Sequence, residues 1–428
     1  MVYIKKCGLL GEKLGHSYSP EIHSMLSELE LAKLLKNYSY ELFECDKNNL
    51  EKFLLTKDFY GLNITVPYKK LVFNYCSELS EIAKKLGSVN IIIRRDKNNF
   101  YGDNTDYFGF EYMLNKSGVD VANKKVLVLG SGGASVSVKA VLENAKANVI
   151  IISRSGKDNY NNILKHSDAR IIINTTPVGM YPDNGNSLLD LNIFLNLEAV
   201  FDIIYNPMRT DLMLKAESLG IKNFGGLDML VAQAKRSAEL FTESIINNSV
   251  IEKIIKKLAA SMQNIILIGM PGCGKSAVAE FLNKKTGRAI LDSNKIIKNK
   301  TGYDILDIFA NKGELFFRDI ESLVLKDLGK KSAQIICTDD GCVEHDENYF
   351  FLHQNGLIFW LKRKYDLELI KNKYFGLNKL NDLQTKDLEK FLASREALYY
   401  KFADFIIDNN NSLEQTTRQI LDILEGKS

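Results

Sequence analysis

The sequence predicts an α/β protein built on parallel sheets, with a Rossmann-like unit in its first half and a P-loop NTPase-type unit in its second. Three observations carry this. Apolar, β-branched runs alternate along the chain with segments of helical periodicity, the pattern of repeated strand–helix units. Residues 124–135, KKVLVLGSGGAS, read as a buried strand, a glycine turn and the start of a helix of small residues. Residues 264–282, NIILIGMPGCGKSAVAEFL, read as a second, separate strand–loop–helix start.

The elements follow in order. Residues 1 to about 105 alternate short strands and helices, with YELFEC (40–45) and GLNITVP (61–67) as strands. After the glycine turn at 130, ANVIIISRS (147–155), ARIIINTTPVG (169–179) and LEAVFDIIYNP (197–207) supply further buried strands. Residues 236–258 have helical apolar spacing, and a new domain begins near 262. No internal repeat or low-complexity stretch appears.

Composition bounds the function classes. The 428 residues suffice for about two to four domains, each with its own core. With 45% hydrophobic and 25% charged residues the composition is ordinary for a soluble globular protein. The 56 basic and 53 acidic side chains give a net charge of +3, so there is no electrostatic case for nucleic acid or an anionic membrane. No apolar run reaches the roughly 18–20 residues of a membrane span. Gly, Glu and Lys interrupt the N-terminal stretch, so it does not read as a signal peptide. The cysteines at 7, 45, 76, 273, 337 and 342 form no CxxC pair, which points to reduced thiols and a cytoplasmic protein. The histidines show no metal-ligand spacing.

The first glycine loop, Gly130-Ser131-Gly132-Gly133-Ala134, lies between a strand and a helix, where backbone can approach a pyrophosphate and the helix N-terminus can face its charge. Ser135 stands at the third glycine position of the G-x-G-x-x-G pattern, so a tight βα turn without a ligand is the competing reading. The next strand ends in Ser153-Arg154-Ser155, with no acid for a ribose 2′-hydroxyl. A guanidinium flanked by hydroxyls suits a 2′-phosphate, which favours NADP.

Further blocks accompany that loop: GEKLGHSYSP (11–20), GLNITVPYK (61–69), SVN (88–90), GDNTD (102–106), NTTPVGM (174–180), DIIYNP (202–207) and GGLDMLVAQA (225–234). Residues 1–258 resemble the shikimate dehydrogenase family, with these blocks in order. The resemblance implies NADP-dependent interconversion of 3-dehydroshikimate and shikimate in a cleft between two domains. One is a discontinuous substrate domain (1–107 plus 236–258) and the other a Rossmann domain (108–235). It assigns Lys69 and Asp106 as the catalytic pair, with Lys69 stabilising and protonating the oxygen that gains charge and Asp106 aiming it. It assigns Ser17 and Ser19 to the substrate carboxylate, and Thr65, Asn90, Tyr205 and Gln233 to other substrate contacts. Asn174, Thr175 and Met229 fall near the expected nicotinamide side. Read without the resemblance, Lys69 is a surface lysine, Asp106 a turn acid, Met229 core packing and Asn174 a strand-end turn. The stretch from Ser155 to Arg170 is short for the family's second strand–helix unit.

The second loop reads Gly269-Met270-Pro271-Gly272-Cys273-Gly274-Lys275-Ser276, a full G-x-x-x-x-G-K-S. Such a loop cradles phosphates, with Lys275 on the β/γ-phosphates and Ser276 on Mg²⁺ of bound ATP. With LDSN (291–294), TGYDILDIFANKGELFFRDIE (301–321) and SREALYYKFAD (394–404), residues 262–424 resemble shikimate kinase. The resemblance implies that Asp292 supports Mg²⁺ and that Arg318 and Arg395 bind the acceptor's carboxylate. A linker is expected at 259–263 and a kinase-like domain over 264–428.

Three departures stand against a working kinase. Asn294 replaces an acid that contacts the accepting hydroxyls. Asp339-Asp340-Gly341 replaces three glycines. The lid segment 374–380, YFGLNKL, has no arginine, only Lys379. The expectation is therefore a dehydrogenase fused to an ATP-binding, kinase-like domain whose acceptor site is degenerate. Its competitors are a fully bifunctional dehydrogenase/kinase and a binding protein with neither activity.

Overall fold

The computed structural model describes residues 5–15, 17–29, 38–365 and 382–427. It divides into two compact units. The first comprises 1–180, 186–205 and 212–258; the second comprises 181–185, 206–211 and 259–428.

The first unit holds two sheets. One contains β1 (Lys5–Gly11), β2 (Tyr38–Glu44), β3 (Gly61–Ile64), β4 (Cys76–Leu79), β5 (Ile91–Arg94) and β6 (Phe100–Asp103) in the order β2-β1-β3-β5-β6-β4. Its β2-β1-β3 part is parallel, whereas β5 runs antiparallel to both β3 and β6. The other is wholly parallel: β7 (Lys125–Leu129), β8 (Asn148–Ile152), β9 (Ile171–Asn174), β10 (Ala199–Asp202) and β11 (Lys222–Gly225), ordered β11-β10-β9-β7-β8. The central strands β9 and β10 are buried along their whole length, as the unbroken runs IIIN and AVFD require of strands covered on both faces.

The helical segment expected over 236–258 falls in two helices, Leu227–Thr242 and Ser249–Met262. The first ends with Glu243 in the left-handed conformation. Buried Glu239 organises the turn: it takes Lys235 Nζ at 2.6 Å and the backbone N–H of Ile246 at 2.9 Å. Phe241 reaches the first sheet, packing with Cys7, Ile91 and Ile93. The expected linker is also different: 259–262 is the last turn of a helix, and only Gln263 separates it from the next strand. The short 155–170 stretch holds a 3₁₀ turn, Tyr160–His166, where an α-helix would need more residues.

The second unit carries β12 (Asn264–Ile268), β13 (Ile290–Asp292), β14 (Ile335–Cys337), β15 (Gly356–Lys362) and β16 (Phe405–Asp408), all parallel, in the order β13-β14-β12-β15-β16. β12 is central and buried throughout, so the loop that follows it emerges at the C-terminal edge of the sheet. Trp360, the chain's single tryptophan, lies in this unit's core, stacked on Tyr399 at 5.4 Å. No helix of the described residues is long and apolar enough to cross a membrane.

Candidate active site and nucleotide loops

In the first unit the local sequence fixes the two candidate catalytic side chains. Asn104 caps the helix Thr105–Ser117 through the backbone N–H of Tyr107, which places Asp106 in the first turn, buried. Lys69 opens the helix Lys69–Phe73 next to Tyr68, whose ring is buried and whose hydroxyl donates to the Cys45 carbonyl. The Lys69 carbonyl accepts from Val89 N–H at 3.1 Å, tying it to the SVN block. Lys69 Nζ lies 2.5 Å from Asp106 Oδ2, and both side chains are mostly buried, 17% and 10% exposed.

Behind the pair runs a chain of buried polar groups. Asn90 Nδ2 donates to Asp106 Oδ1 at 2.9 Å, and Asn90 Oδ1 accepts from the Thr105 N–H at 2.6 Å. The Thr105 hydroxyl meets Ser237 Oγ at 3.2 Å and Gln233 Oε1 at 3.3 Å. Asn63 Nδ2 donates to Ser237 Oγ at 2.7 Å and Tyr40 donates to Asn63 at 2.8 Å. Asp106 is thereby held in one orientation while Oδ2 keeps the lysine. Sequence reading missed Tyr40, Asn63, Thr105 and Ser237. Asn63 sat inside a quoted block as a polar residue between Leu62 and Ile64, the available signal; Thr105, between Asn104 and Asp106, carried none.

Ser17 and Ser19 lie together, 3.2 Å between hydroxyls, with Ser19 opening the helix Ser19–Leu29. Tyr205 meets Tyr18 edge-on at 6.0 Å. Thr65 follows β3, its N–H on the Leu10 carbonyl.

The glycine loop faces Lys69. A Cβ on Gly133 would stand 3.5 Å from Lys69 Cδ, so the lysine stem runs against the start of the helix Gly133–Asn144. Gly130 is held at φ 104°, and a side chain there would meet Thr175 and Thr176. Around Gly132 there is open space, as a loop that receives a pyrophosphate needs. Ser135 is buried and its hydroxyl donates to the Gly132 carbonyl at 2.6 Å, which explains how a serine serves at that position. Arg154 is exposed at the end of β8.

Two residues expected near the nicotinamide have other partners. Asn174 is buried, its amide donating to Asp202 at 3.1 Å and accepting from Thr176. Met229 is in the hydrophobic core of the Rossmann half. Thr175 hydrogen-bonds the Leu129 carbonyl at 2.7 Å, bracing the strand before the loop.

In the second unit Gly269, Gly272 and Gly274 all take positive φ, and the helix Lys275–Thr286 starts at once. Lys275 Nζ is folded onto the Gly269 carbonyl at 2.6 Å. Ser276 and Asp292 share a cavity of about 230 Å³ with Lys295 and Cys337. A hydroxyl and one carboxylate are the few protein ligands that Mg²⁺ uses beside phosphate oxygens, so the donor set fits that ion. Asp292 also caps the helix Ser293–Thr301, accepting from Asn294 and Lys295 N–H groups. Asn409 donates to the Cys273 carbonyl at 2.6 Å and is a loop-bracing residue that sequence reading missed.

On the expected acceptor side the polar side chains pair with one another. Asn294 Nδ2 donates to Asp339 Oδ1 at 3.0 Å. Buried Arg318 pairs with Glu321 at 2.7 Å, Glu344 at 2.9 Å, and Asp339 and Glu314 at 3.2 Å each. Arg395 pairs with Glu344 at 2.5 Å. A Cβ on Gly341 would run into the Arg318 guanidinium, so a side chain there would have to displace it from its acids. Burial, with Asp339 alongside, pushes the Glu321 carboxyl up to about 8 despite Arg318. The lid segment 374–380 lies outside the described residues.

Comparison with known proteins agrees with both halves. The family described as shikimate dehydrogenase substrate binding domain matches residues 9–92, and that described as shikimate kinase matches 271–425. A shikimate dehydrogenase (NADP(+)) of Clostridium perfringens is 34% identical over 276 residues, 60% of this chain and 98% of the relative. Among solved structures, a chorismate mutase/shikimate 5-dehydrogenase fusion protein from Clostridium acetobutylicum is 35% identical, with a TM-score of 0.55, covering 60% of this chain and 97% of that one. A shikimate 5-dehydrogenase from Thermus thermophilus in complex with NADP(H) and shikimate is 27% identical, TM-score 0.54, over 59% and 99%.

Proposed function

We propose that this chain, which belongs to the shikimate dehydrogenase family, reduces 3-dehydroshikimate to shikimate with NADPH and carries a kinase-like unit that binds ATP without phosphorylating shikimate at a useful rate. The observation that carries the first part is the Lys69–Asp106 pair, fixed by Asn90 and lying against the Gly133 loop.

NADPH, when bound, supplies the hydride. Reduction of a ring ketone develops negative charge on its oxygen. Lys69 is placed to stabilise that oxygen and to hand over a proton from Nζ. Asp106 orients the ammonium and has capacity to accept from a substrate hydroxyl. Ser17 and Ser19 offer hydroxyl donors for the carboxylate, and Tyr205, Thr65 and Gln233 complete the substrate side. Gly130, Gly132, Gly133 and Ala134 would take the pyrophosphate, with Ser153 and Arg154 on the 2′-phosphate. The division into a substrate domain (1–107, 236–258) and a nucleotide domain (108–235) belongs to this reading. The test is a gain of NADPH absorbance when purified protein receives shikimate and NADP; no gain overturns it.

For the second unit, Lys275, Ser276 and Asp292 support ATP and Mg²⁺ binding. Phosphoryl transfer also needs an oriented acceptor hydroxyl. Asn294 is paired with Asp339, and the two arginines are neutralised by internal acids. ADP release from ATP plus shikimate should stay at background while ATP binds. Vigorous formation of shikimate 3-phosphate would restore the fully bifunctional reading.

A further inference from the structure

We propose that Glu344 is a built-in carboxylate ligand, filling an anion seat made by Arg318 and Arg395, with which a small external carboxylate exchanges one for one. The proposal rests on reading this site as an acceptor pocket that has lost its acceptor.

The two arginines come from different helices, Glu314–Gly329 and Asp382–Phe402, and each side chain is only 3% exposed. Glu344 ends the 3₁₀ turn Asp340–Glu344 and turns one oxygen to each: Oε1 is 2.5 Å from Arg395 Nη2, and Oε2 is 2.9 Å from Arg318 Nε, an ion-pair contact without hydrogen-bond alignment. A free carboxylate between two guanidinium groups would adopt the same bridge. Glu344 itself is 32% exposed, so it enters the seat from the solvent side and has a way out.

The two arginines depend on it unequally. Arg318 keeps Glu321, Asp339 and Glu314 when Glu344 leaves. Arg395 has Glu344 as its ion-pair partner among the described residues, and its buried Nη1 has no hydrogen-bond partner. A buried guanidinium stripped of its counter-ion is strongly unfavourable, so the emptied seat attracts an anion. Buried Asp339 and Asp340 adjoin the seat, which opposes an anion arriving in addition to Glu344. Replacement keeps the local charge constant; addition does not.

Trp360 gives a local reading. It stacks on Tyr399, one helical turn beyond Arg395, and the Tyr399 hydroxyl donates to the Asp340 carbonyl at 2.8 Å at the start of the Glu344 turn. Unfolding of the full chain would be followed by Trp360 fluorescence, with acetate compared against chloride at equal ionic strength. We expect Glu344→Ala to lower the midpoint, acetate to raise it again in that variant, and acetate to raise the unsubstituted chain much less, because there it must first displace Glu344. Glu344→Ala combined with Arg395→Ala should show no acetate response. Should Glu344→Ala fail to fold, Glu344→Gln keeps the shape without the charge and must show the same selective response. Acetate acting equally on variant and parent, or on neither, overturns the proposal. Rapid phosphorylation of shikimate by the parent chain would instead overturn the underlying reading, in a separate measurement.

Discussion

Both units bury a cation against carboxylates, and the number of carboxylates separates the two. In the first unit Lys69 has one acid, Asp106, and Asn90 holds that acid from the far side. The ammonium stays partly open and lies beside the glycine loop. In the second unit Arg318 has four acids around it, and Arg395 shares one of them. A single orienting partner leaves a cation able to act on an incoming group. A surrounding ring of partners makes it part of the fold.

The sharpest break of this contrast is Lys69→Ala. The turnover number should fall by about 10²–10⁴-fold, while shikimate affinity changes little, because the ammonium acts on charge that develops in the transition state. Steady-state kinetics read this directly. A variant whose only defect is a raised KM would place Lys69 in binding and erase the difference between the units.

The matching experiment on the other side is Arg318→Ala. Removing one partner from a buried ionic cluster leaves acids uncompensated and should cost about 3–5 kcal/mol of stability. Urea unfolding followed by Trp360 fluorescence would show it, with dehydrogenase turnover of the folded protein as the control. Unchanged stability would mean that Arg318 is as available as Lys69.

Arg154→Ala tests a solvent-facing cation in the same terms. Loss of one charge-assisted contact to the 2′-phosphate should cost about 1.5–3 kcal/mol in NADP binding and little in NAD binding. Equal losses for both would remove Arg154 from the cofactor site.

A further test of the acid cluster is a slope with pH. Burial and the neighbouring Asp339 raise the Glu321 carboxyl to about 8 from an ordinary 4.5. The folded chain therefore holds a proton that the unfolded chain has released. The contribution is fully present below pH 4.5 and is lost as pH rises toward about 8. Trp360-monitored stability should decline across that window, and Glu321→Gln should flatten the decline. An identical slope in the variant would mean that Glu321 is ionised throughout.

What was legible in the sequence is what local rules determine. Unbroken runs such as IIIN and NIILI gave buried parallel strands, and the glycine loops gave the two strand–helix turns. Asp106 alone read as a turn acid, and only the resemblance singled it out; the Asn104 cap that sets it in the first turn is a structural finding. What escaped needs partners distant in sequence. The helix break at Glu243 depends on Glu239 reaching both Lys235 and Ile246. The pairing of Asn174 with Asp202 is of the same kind. Asp339 and Asp340 were legible as a departure from three glycines. No spacing rule showed that Arg318 would meet Asp339 and that Glu344 would bridge both arginines.

The helix Ser249–Met262 has a practical consequence for anyone who wants the halves apart. The division between the two compact units falls within it, between Leu258 and Ala259. Ile251, Ile254, Leu258 and Met262 are all buried on one stripe of that helix. A protease that recognises extended backbone finds no such substrate there, and a gene split at 259–263 would end one product and begin the other in the middle of a hydrogen-bonded turn. Separate expression calls for duplicating this helix in both products, so that each retains its own copy of the stripe.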